Sequence, residues 1–498
     1  MYKADGDLLK RLDIPSALKD EVSAPRRNLL PPQIADQAAQ EDLDEVASII
    51  DVRARQGRVG NRAAPVLAAS KWRHGRRSAV ALPLPERVLY RAATDLLNNG
   101  LAPARQPDDY QDFLRAPTEG DSEYVVVTDL ANFYSTIDIN RLADLLLSRT
   151  GEWSLVSWLR EFLTSISPST GGLPQGNHSS DRLADTYADT LLRRMRRRGL
   201  AAFRFSDDFR IEASSYQQGI DALETFDEEL RSMGLFLNER KTYIIHRERY
   251  IENTHRDRDS LTEAWKEKRD ELTSIDMYSF ELVIPEGPEV LSAVAIEELE
   301  AWADQVKEFR HNDTRDLPTR LDLGLVLTLL AVTGKPEGLR HIPELLLFEP
   351  QLTYQASSYM HELSETDASG VDTAIQKAFG STGLSTWKSA WLCHSLSNTK
   401  REEDSSGRRR PLDPAVLQWL KTKACSRDEV LSSHAVWSLA VMGELTQDIW
   451  SHLDQESGTY SSQFAAAALS GLTGVKQEQL NTGDALDKII YEWAASLL

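Results

Sequence analysis

Cysteine is almost missing from this chain: Cys393 and Cys425 are the only two in 498 residues. That scarcity excludes a disulfide framework or a thiolate zinc site and makes a reducing cytoplasm the expected compartment. Long apolar runs are absent too. No stretch approaches the length of a membrane helix or of a signal-peptide core, so no membrane partner is expected. Positive charge is also in short supply, with 57 Lys and Arg against 77 Asp and Glu, a formal net charge of −20. As a total this argues against nucleic-acid binding, whose affinity comes largely from cations that replace phosphate counterions. The distribution reverses that argument. Val52 to Pro85 contains no acid, while Arg53, Arg55, Arg58, Arg62, Lys71, Arg73, Arg76 and Arg77 make a local cationic stretch. Arg193, Arg194, Arg196, Arg197 and Arg198 form a second block, readable either as a solvated face or as a further basic patch. With 41% apolar residues and this length, the chain reads as globular, with at least two domains.

What is present centres on Phe203-Arg204-Phe205-Ser206-Asp207-Asp208-Phe209-Arg210-Ile211. Apolar residues flank a pair of adjacent carboxylates, which reads as a β-hairpin with acids at its tip. Alone it could be an ordinary surface turn, since Asp is a common turn residue. A second acid upstream changes the weighing. Asp129 ends the β-branched run Tyr124-Val-Val-Val-Thr-Asp129, the pattern by which a buried strand delivers one carboxylate to a sheet edge. Three converging hard oxygen ligands without His or Cys suit Mg²⁺ or Mn²⁺. Two such ions can activate an attacking hydroxyl and stabilise a leaving phosphate oxygen, so the chemistry suggested is nucleotidyl transfer.

These motifs resemble the reverse transcriptases. In that family an Asp is followed four and five residues later by aromatics, matched by Asp129, Phe133 and Tyr134. A Leu-Pro-Gln-Gly with a downstream Ser and Leu-Ala is matched by Leu173-Pro174-Gln175-Gly176, Ser179 or Ser180, and Leu183-Ala184. The aromatic-x-Asp-Asp is Phe205-Ser206-Asp207-Asp208, and the last palm motif is Gly234-Leu-Phe-Leu-Asn238 with Lys241-Thr242. The resemblance covers roughly Arg53 to Tyr243, with Asn177-His178 departing from the common wording. It implies Asp129, Asp207 and Asp208 as catalytic and metal-binding residues, aided by the backbone carbonyl of Leu130, with two Mg²⁺ or Mn²⁺ ions and deoxynucleoside triphosphates as substrates. It further implies nucleotide contacts from Phe133, Tyr134, Gln175 and Gly176, and triphosphate contacts from a subset of Lys71, Arg73, Arg76 and Arg77. Tyr134 would act as a sugar gate against a 2′-hydroxyl. Lys241 would either assist departure of pyrophosphate or brace the site.

The expected fold is α+β and mostly helical: a right-hand polymerase palm and fingers, then an α-helical array resembling HEAT repeats. Residues 1–50 are expected to be helices packed on the fingers, 51–250 fingers and palm, 251–288 a connector, and 289–498 the helical domain. Asp138 to Arg149 reads as a helix with Leu142, Leu145 and Leu146 on one face, and Trp153, Trp158 and Phe162 read as core. After Pro285 and Pro288, helix-sized apolar segments alternate with Gly and Pro punctuation: Leu321 to Val332, Leu345 to Phe348, Val371 to Phe379, Thr386 to Leu396, Val416 to Ala424, Val430 to Met442, Ser461 to Leu472 and Leu486 to Leu498.

A palm followed by such an array resembles the bacterial abortive-infection, phage-defence reverse transcriptases. That resemblance implies untemplated, protein-primed DNA synthesis by a cytoplasmic homo-oligomer, a trimer or hexamer, with nucleic acid as partner and product. The priming hydroxyl is left open, with Tyr354, Tyr359, Tyr460 and Tyr491 in the helical half. Two alternatives stand beside it: a reverse transcriptase templated by a noncoding or retroelement RNA, and a noncatalytic helical scaffold.

Overall fold

Strand-forming residues are concentrated between Val66 and His246 in the computed structural model, which describes residues 6–23, 29–71, 75–105, 109–166, 171–259, 288–312, 323–381, 383–405, 407–453, 459–472 and 484–498. The expected 251–288 connector lies largely outside those residues. The strands are β1 Val66–Ser70, β2 Arg76–Val80, β3 Tyr124–Asp129, β4 Ala202–Phe205, β5 Asp208–Ala213 and β6 Tyr243–His246. β1 and β2 pair as an antiparallel ribbon, and the other four form an antiparallel sheet in the order β4-β5-β3-β6. Alternation along the strands decides the two faces of that sheet. Val126, Phe209 and Ile211 enter the main core, whereas Val125 and Val127 pack with Tyr250 and Ile245 on the opposite face.

Helices build the rest. His178–Arg197 buries Leu183, Ala184, Tyr187, Ala188, Leu191 and Met195, the i, i+4 stripe expected of a helix lying under a sheet. Ile139–Thr150 starts on the Asp138 carboxylate, which accepts from the backbone N–H of Asn140 and Arg141, and stops at Gly151 with φ +70. Trp158 and Phe162 are core as expected, but Trp153 is 68% exposed. It opens the helix Trp153–Ile166, whose buried face begins only at Leu155. Four of the five arginines in the 193–198 block are engaged within the molecule. Arg193 pairs with Asp189 at 2.7 Å, Arg194 and Arg198 pair with Glu229 at 3.1 and 2.7 Å, and Arg196 donates to the Ala202 carbonyl.

After residue 288 every described element is helical. Leu323–Val332, Thr353–Leu363, Thr386–Ser395, Glu429–Val441 and Tyr460–Leu469 form one row in which each packs on the next. Ile342–Phe348, Ala368–Ser381 and Pro414–Ala424 form a second row beside it. The first row meets the β1-β2 ribbon, since Thr386–Ser395 packs against β1. The N-terminal helices are not confined to the fingers as expected. Ile14–Ser23 does pack on Leu84–Leu96, but Ile34–Ala39 packs on Tyr460–Leu469 and on Ala485–Leu497 at the far end of the array. Arg87 joins these layers by pairing with Glu21 and Asp36, Arg53 pairs with Asp484, and the Trp387 indole N–H donates to the Leu29 carbonyl at 2.5 Å. Buried apolar residues from Leu8 to Ala494 make one continuous cluster.

Candidate active site

Strand register creates the site. β3 and β5 pair so that Asp129 stands directly across from Asp208, and β4 joins β5 through a two-residue turn of Ser206 and Asp207. Like charges placed opposite each other on neighbouring strands repel. The three carboxylates nevertheless converge, each offering an oxygen within 4.8 Å of the others, the one grouping of this kind among the described residues. Backbone bonds fix the approach: the Leu130 N–H donates to the Asp207 carbonyl at 3.1 Å, and the Asn238 N–H donates to the Asp129 carbonyl at 2.8 Å.

Burial, reinforced by the Asp129 charge, pushes the Asp207 carboxyl above its ordinary range. Burial likewise pushes Asp208 up to about 6, against the pull of Arg210, whose guanidinium is 3.9 Å away. Besides Arg210, two lysines face the group. Lys241 reaches Asp129 Oδ2 at 3.2 Å, and burial, then Arg77, pushes the Lys71 ammonium down while Asp207 and Asp129 draw it back up. An all-oxygen donor set of three converging, partly buried carboxylates fits a hard divalent cation.

The other expected residues are distributed unevenly. Tyr134 follows Asp129 on the turn Phe133–Thr136 and donates its hydroxyl to Asp181 Oδ1 at 2.7 Å. Burial and the Asp181 charge push that phenol well above its ordinary range, so its proton stays available to donate. Phe133 sits differently: at 3% exposure its ring belongs to the core, edge-on to Tyr134. Gln175 is tied to the fingers ribbon, its carbonyl accepting from the Val80 N–H at 3.3 Å. Gly176 has φ +96, which only glycine adopts without strain, and the Leu29 side chain lies against it. Gly172 is the tighter case. A Cβ there would collide with the Tyr134 carbonyl oxygen, so the chain around Tyr134 depends on that bare backbone. Arg77 lies on β2, where it influences Lys71, while Arg76 bonds the Ser70 hydroxyl across the ribbon. Arg73 falls outside the described residues.

One residue at the site was missed in the sequence. The Asn238 side chain donates to Asp129 Oδ2 at 2.8 Å, the same oxygen that Lys241 approaches. The short 3₁₀ turn Glu239–Lys241 brings both donors to that atom, so their spacing of three was the available signal.

Residues 85–276 match the family model described as reverse transcriptase (RNA-dependent DNA polymerase), so the chain contains a reverse-transcriptase domain. A comparison with curated proteins finds no match. Among solved structures, a telomerase from Candida tropicalis in complex with a fragment of telomeric RNA aligns at 10% identity and a TM-score of 0.30, over 88% of this chain and 64% of that one. An RdRp complex aligns at 12% identity and 0.31, over 97% of this chain and 50% of that one. This chain thus spans less than two thirds of either structure, and likeness at such TM-scores decides nothing about it.

Proposed function

We propose that this chain is a polymerase that adds deoxynucleotides by nucleotidyl transfer, with Asp129, Asp207 and Asp208 as its catalytic carboxylates. The observation that carries the reading is the convergence of these three acids inside the segment that matches reverse transcriptases. Asp129, Asp207 and Asp208, with the Leu130 carbonyl, would hold two Mg²⁺ or Mn²⁺ ions, whose chemistry would be to lower the pKa of the attacking hydroxyl and to offset charge on the departing pyrophosphate. The protein's own groups do the remaining work. Asn238 holds one oxygen of Asp129 and so orients its carboxylate, and Lys241 offsets the charge of that oxygen until a divalent cation takes its place. Lys71 and Arg77 bring positive charge from the fingers toward the triphosphate. Tyr134, fixed through its hydroxyl, presents its ring edge to the sugar, and Gln175-Gly176 shape the neighbouring floor.

In the same reading the array is a HEAT-like scaffold, and the protein acts in phage defence as a homo-oligomer whose synthesis is untemplated and protein-primed. Burial narrows the priming candidates. Tyr359 and Tyr460 are at most 1% exposed and bond the Lys335 carbonyl and the His434 ring, which leaves Tyr354 and Tyr491 as half-buried alternatives. Incubating nuclease-treated protein with labelled deoxynucleotides and Mg²⁺ or Mn²⁺, without template, tests this directly. Label that leaves the protein only after protease treatment supports priming by the chain. Incorporation that requires a restored RNA fraction replaces that reading with an RNA-templated enzyme, and no incorporation under either condition removes the polymerase.

A further inference from the structure

Behind the carboxylates lies a set of charged groups that the chemistry above does not use. Asp185, 3% exposed on the helix His178–Arg197, receives two guanidinium groups. Arg105 approaches it with Nε at 2.7 Å and Nη2 at 2.8 Å, and Arg204 with Nη1 at 2.9 Å. Both arginines continue to the hairpin turn. Arg204 Nη1 donates to the Ser206 carbonyl at 2.9 Å, and Arg105 Nη2 donates to the Ser206 hydroxyl at 3.1 Å. Ser206 has φ +52, a left-handed conformation that side-chain-bearing residues seldom adopt, and it immediately precedes Asp207. A strained backbone persists where its surroundings over-determine it, and two guanidinium contacts to one residue do that.

One turn earlier on the same helix, Asp181 accepts the Tyr134 hydroxyl at 2.7 Å. Residues four apart lie on one helix face, so the two carboxylates form a row. The row reaches both acid-bearing segments: Asp181 holds the chain just past Asp129, and Asp185 holds the turn just before Asp207. Arg105 and Arg204 both face Asp185, Arg105 also acts electrostatically on Asp181 and Tyr134, and Arg182 acts on Asp185 from its own helix. Such a group can be buried only if each member keeps its partners.

We propose that Asp185 is a positioning residue, acting through Arg105 and Arg204 on the Ser206-Asp207 turn, with Asp181 setting the Asp129 segment from the same helix face. The spacing of the metal-binding carboxylates is then dictated by one helix rather than by the hairpin alone. This inference rests on the polymerase reading for its effect on turnover, but its structural part can be measured without turnover.

The test uses the full chain with Asp185→Asn and, because that change leaves two arginines facing each other, Arg204→Lys as a second variant. The ammonium introduced by the second variant keeps the charge but ends one atom short of Nη1, the single nitrogen through which Arg204 meets both Asp185 and the Ser206 carbonyl. Three quantities are read: hydrogen exchange across residues 203–210, Mn²⁺ affinity by calorimetry, and nucleotide incorporation resolved into kcat and KM. The expected result is faster exchange in 203–210 with no change in 429–441, and Mn²⁺ affinity weakened about 10- to 100-fold, the range seen when outer partners of metal ligands are removed. The accompanying fall in kcat is on the order of 100-fold at nearly constant KM, as displacement of a reacting group by about 1 Å produces. Unchanged exchange and Mn²⁺ affinity overturn the proposal, and so does a loss of kcat that merely tracks the loss of folded protein. If the wild type binds Mn²⁺ but incorporates nothing, the polymerase reading fails while the exchange and affinity arms still decide the clamp. A wild type that does neither overturns both.

Discussion

The palm and the helical array bury polar groups for opposite ends. In the array, several buried polar side chains close on their neighbours: Ser357 donates to the Trp391 carbonyl at 2.5 Å, Ser438 to the Cys393 carbonyl at 2.6 Å, and Arg401 pairs with Asp372 at 2.8 Å. Each contact stitches one helix to another segment. In the palm, by contrast, Asp129, Asp207 and Asp208 are brought together against their mutual repulsion, and burial raises the carboxyls of Asp207 and Asp208. Like charges gathered and buried in this way cluster at functional sites. The difference agrees with the proposed placing of chemistry at the three carboxylates.

The largest expected effect breaks the palm alone. Asp207→Ala with Asp208→Ala should lower incorporation by at least about 10³-fold, the scale of losing residues that act as a unit. Thermal unfolding should stay unchanged or rise slightly, because the double change relieves repulsion and burial cost at the hairpin tip. The matching break in the array is Arg401→Met, which leaves Asp372 buried and unpaired. It should cost about 3–5 kcal/mol in denaturant unfolding, while incorporation per folded molecule stays the same.

A third change acts at the junction. Glu86 lies in a cavity of about 160 Å³ lined also by Arg62, Ile166, Glu429 and Thr459, between the fingers and the array. Burial raises its carboxyl from the ordinary 4.5 to about 7, against the Gly60 N–H that it accepts at 3.1 Å. Because the folded value is the higher one, its contribution to stability is complete below about pH 4.5 and is lost as pH rises through 7. Glu86→Gln keeps the acceptor and removes the charge. Its advantage over the wild type should therefore be absent at pH 4.5 and grow to at most about 3 kcal/mol at pH 8, as chemical denaturation at the two pH values would report. The smallest effect sharpens the view of the hairpin. Ser206→Gly gains a residue suited to positive φ but loses the Arg105 contact, so stability should move by less than about 1 kcal/mol.

How much of this could be read in the sequence follows from range. Asp207 and Asp208 were legible because a hairpin is local, and Asp129 because one acid ended an apolar β-branched run. The array helices were legible because Gly and Pro separate the apolar segments: Thr386 to Leu396 became Thr386–Ser395, and Val430 to Met442 became Glu429–Val441. Contacts between distant segments left no such mark. Nothing local announces that Trp387 bonds Leu29, that Asp185 holds Arg105, or that residues 34–39 pack on the last helices of the array. Trp153 misled for a related reason, since composition gives a residue's preference for the core and not whether its helix end extends past the partner.

We propose that three carboxylates, one from the end of β3, one from the β4-β5 turn and one from the start of β5, form a divalent-metal centre. Crystals grown with Mn²⁺ and a nonhydrolysable deoxynucleotide, with data collected at the manganese edge, test it most directly. The account predicts anomalous density bridging Asp129, Asp207 and Asp208, with Lys241 moved off Asp129 Oδ2 and the triphosphate extending toward Lys71 and Arg77. Nucleotide bound elsewhere, or no manganese signal among these carboxylates with Lys241 still on Asp129, would contradict it.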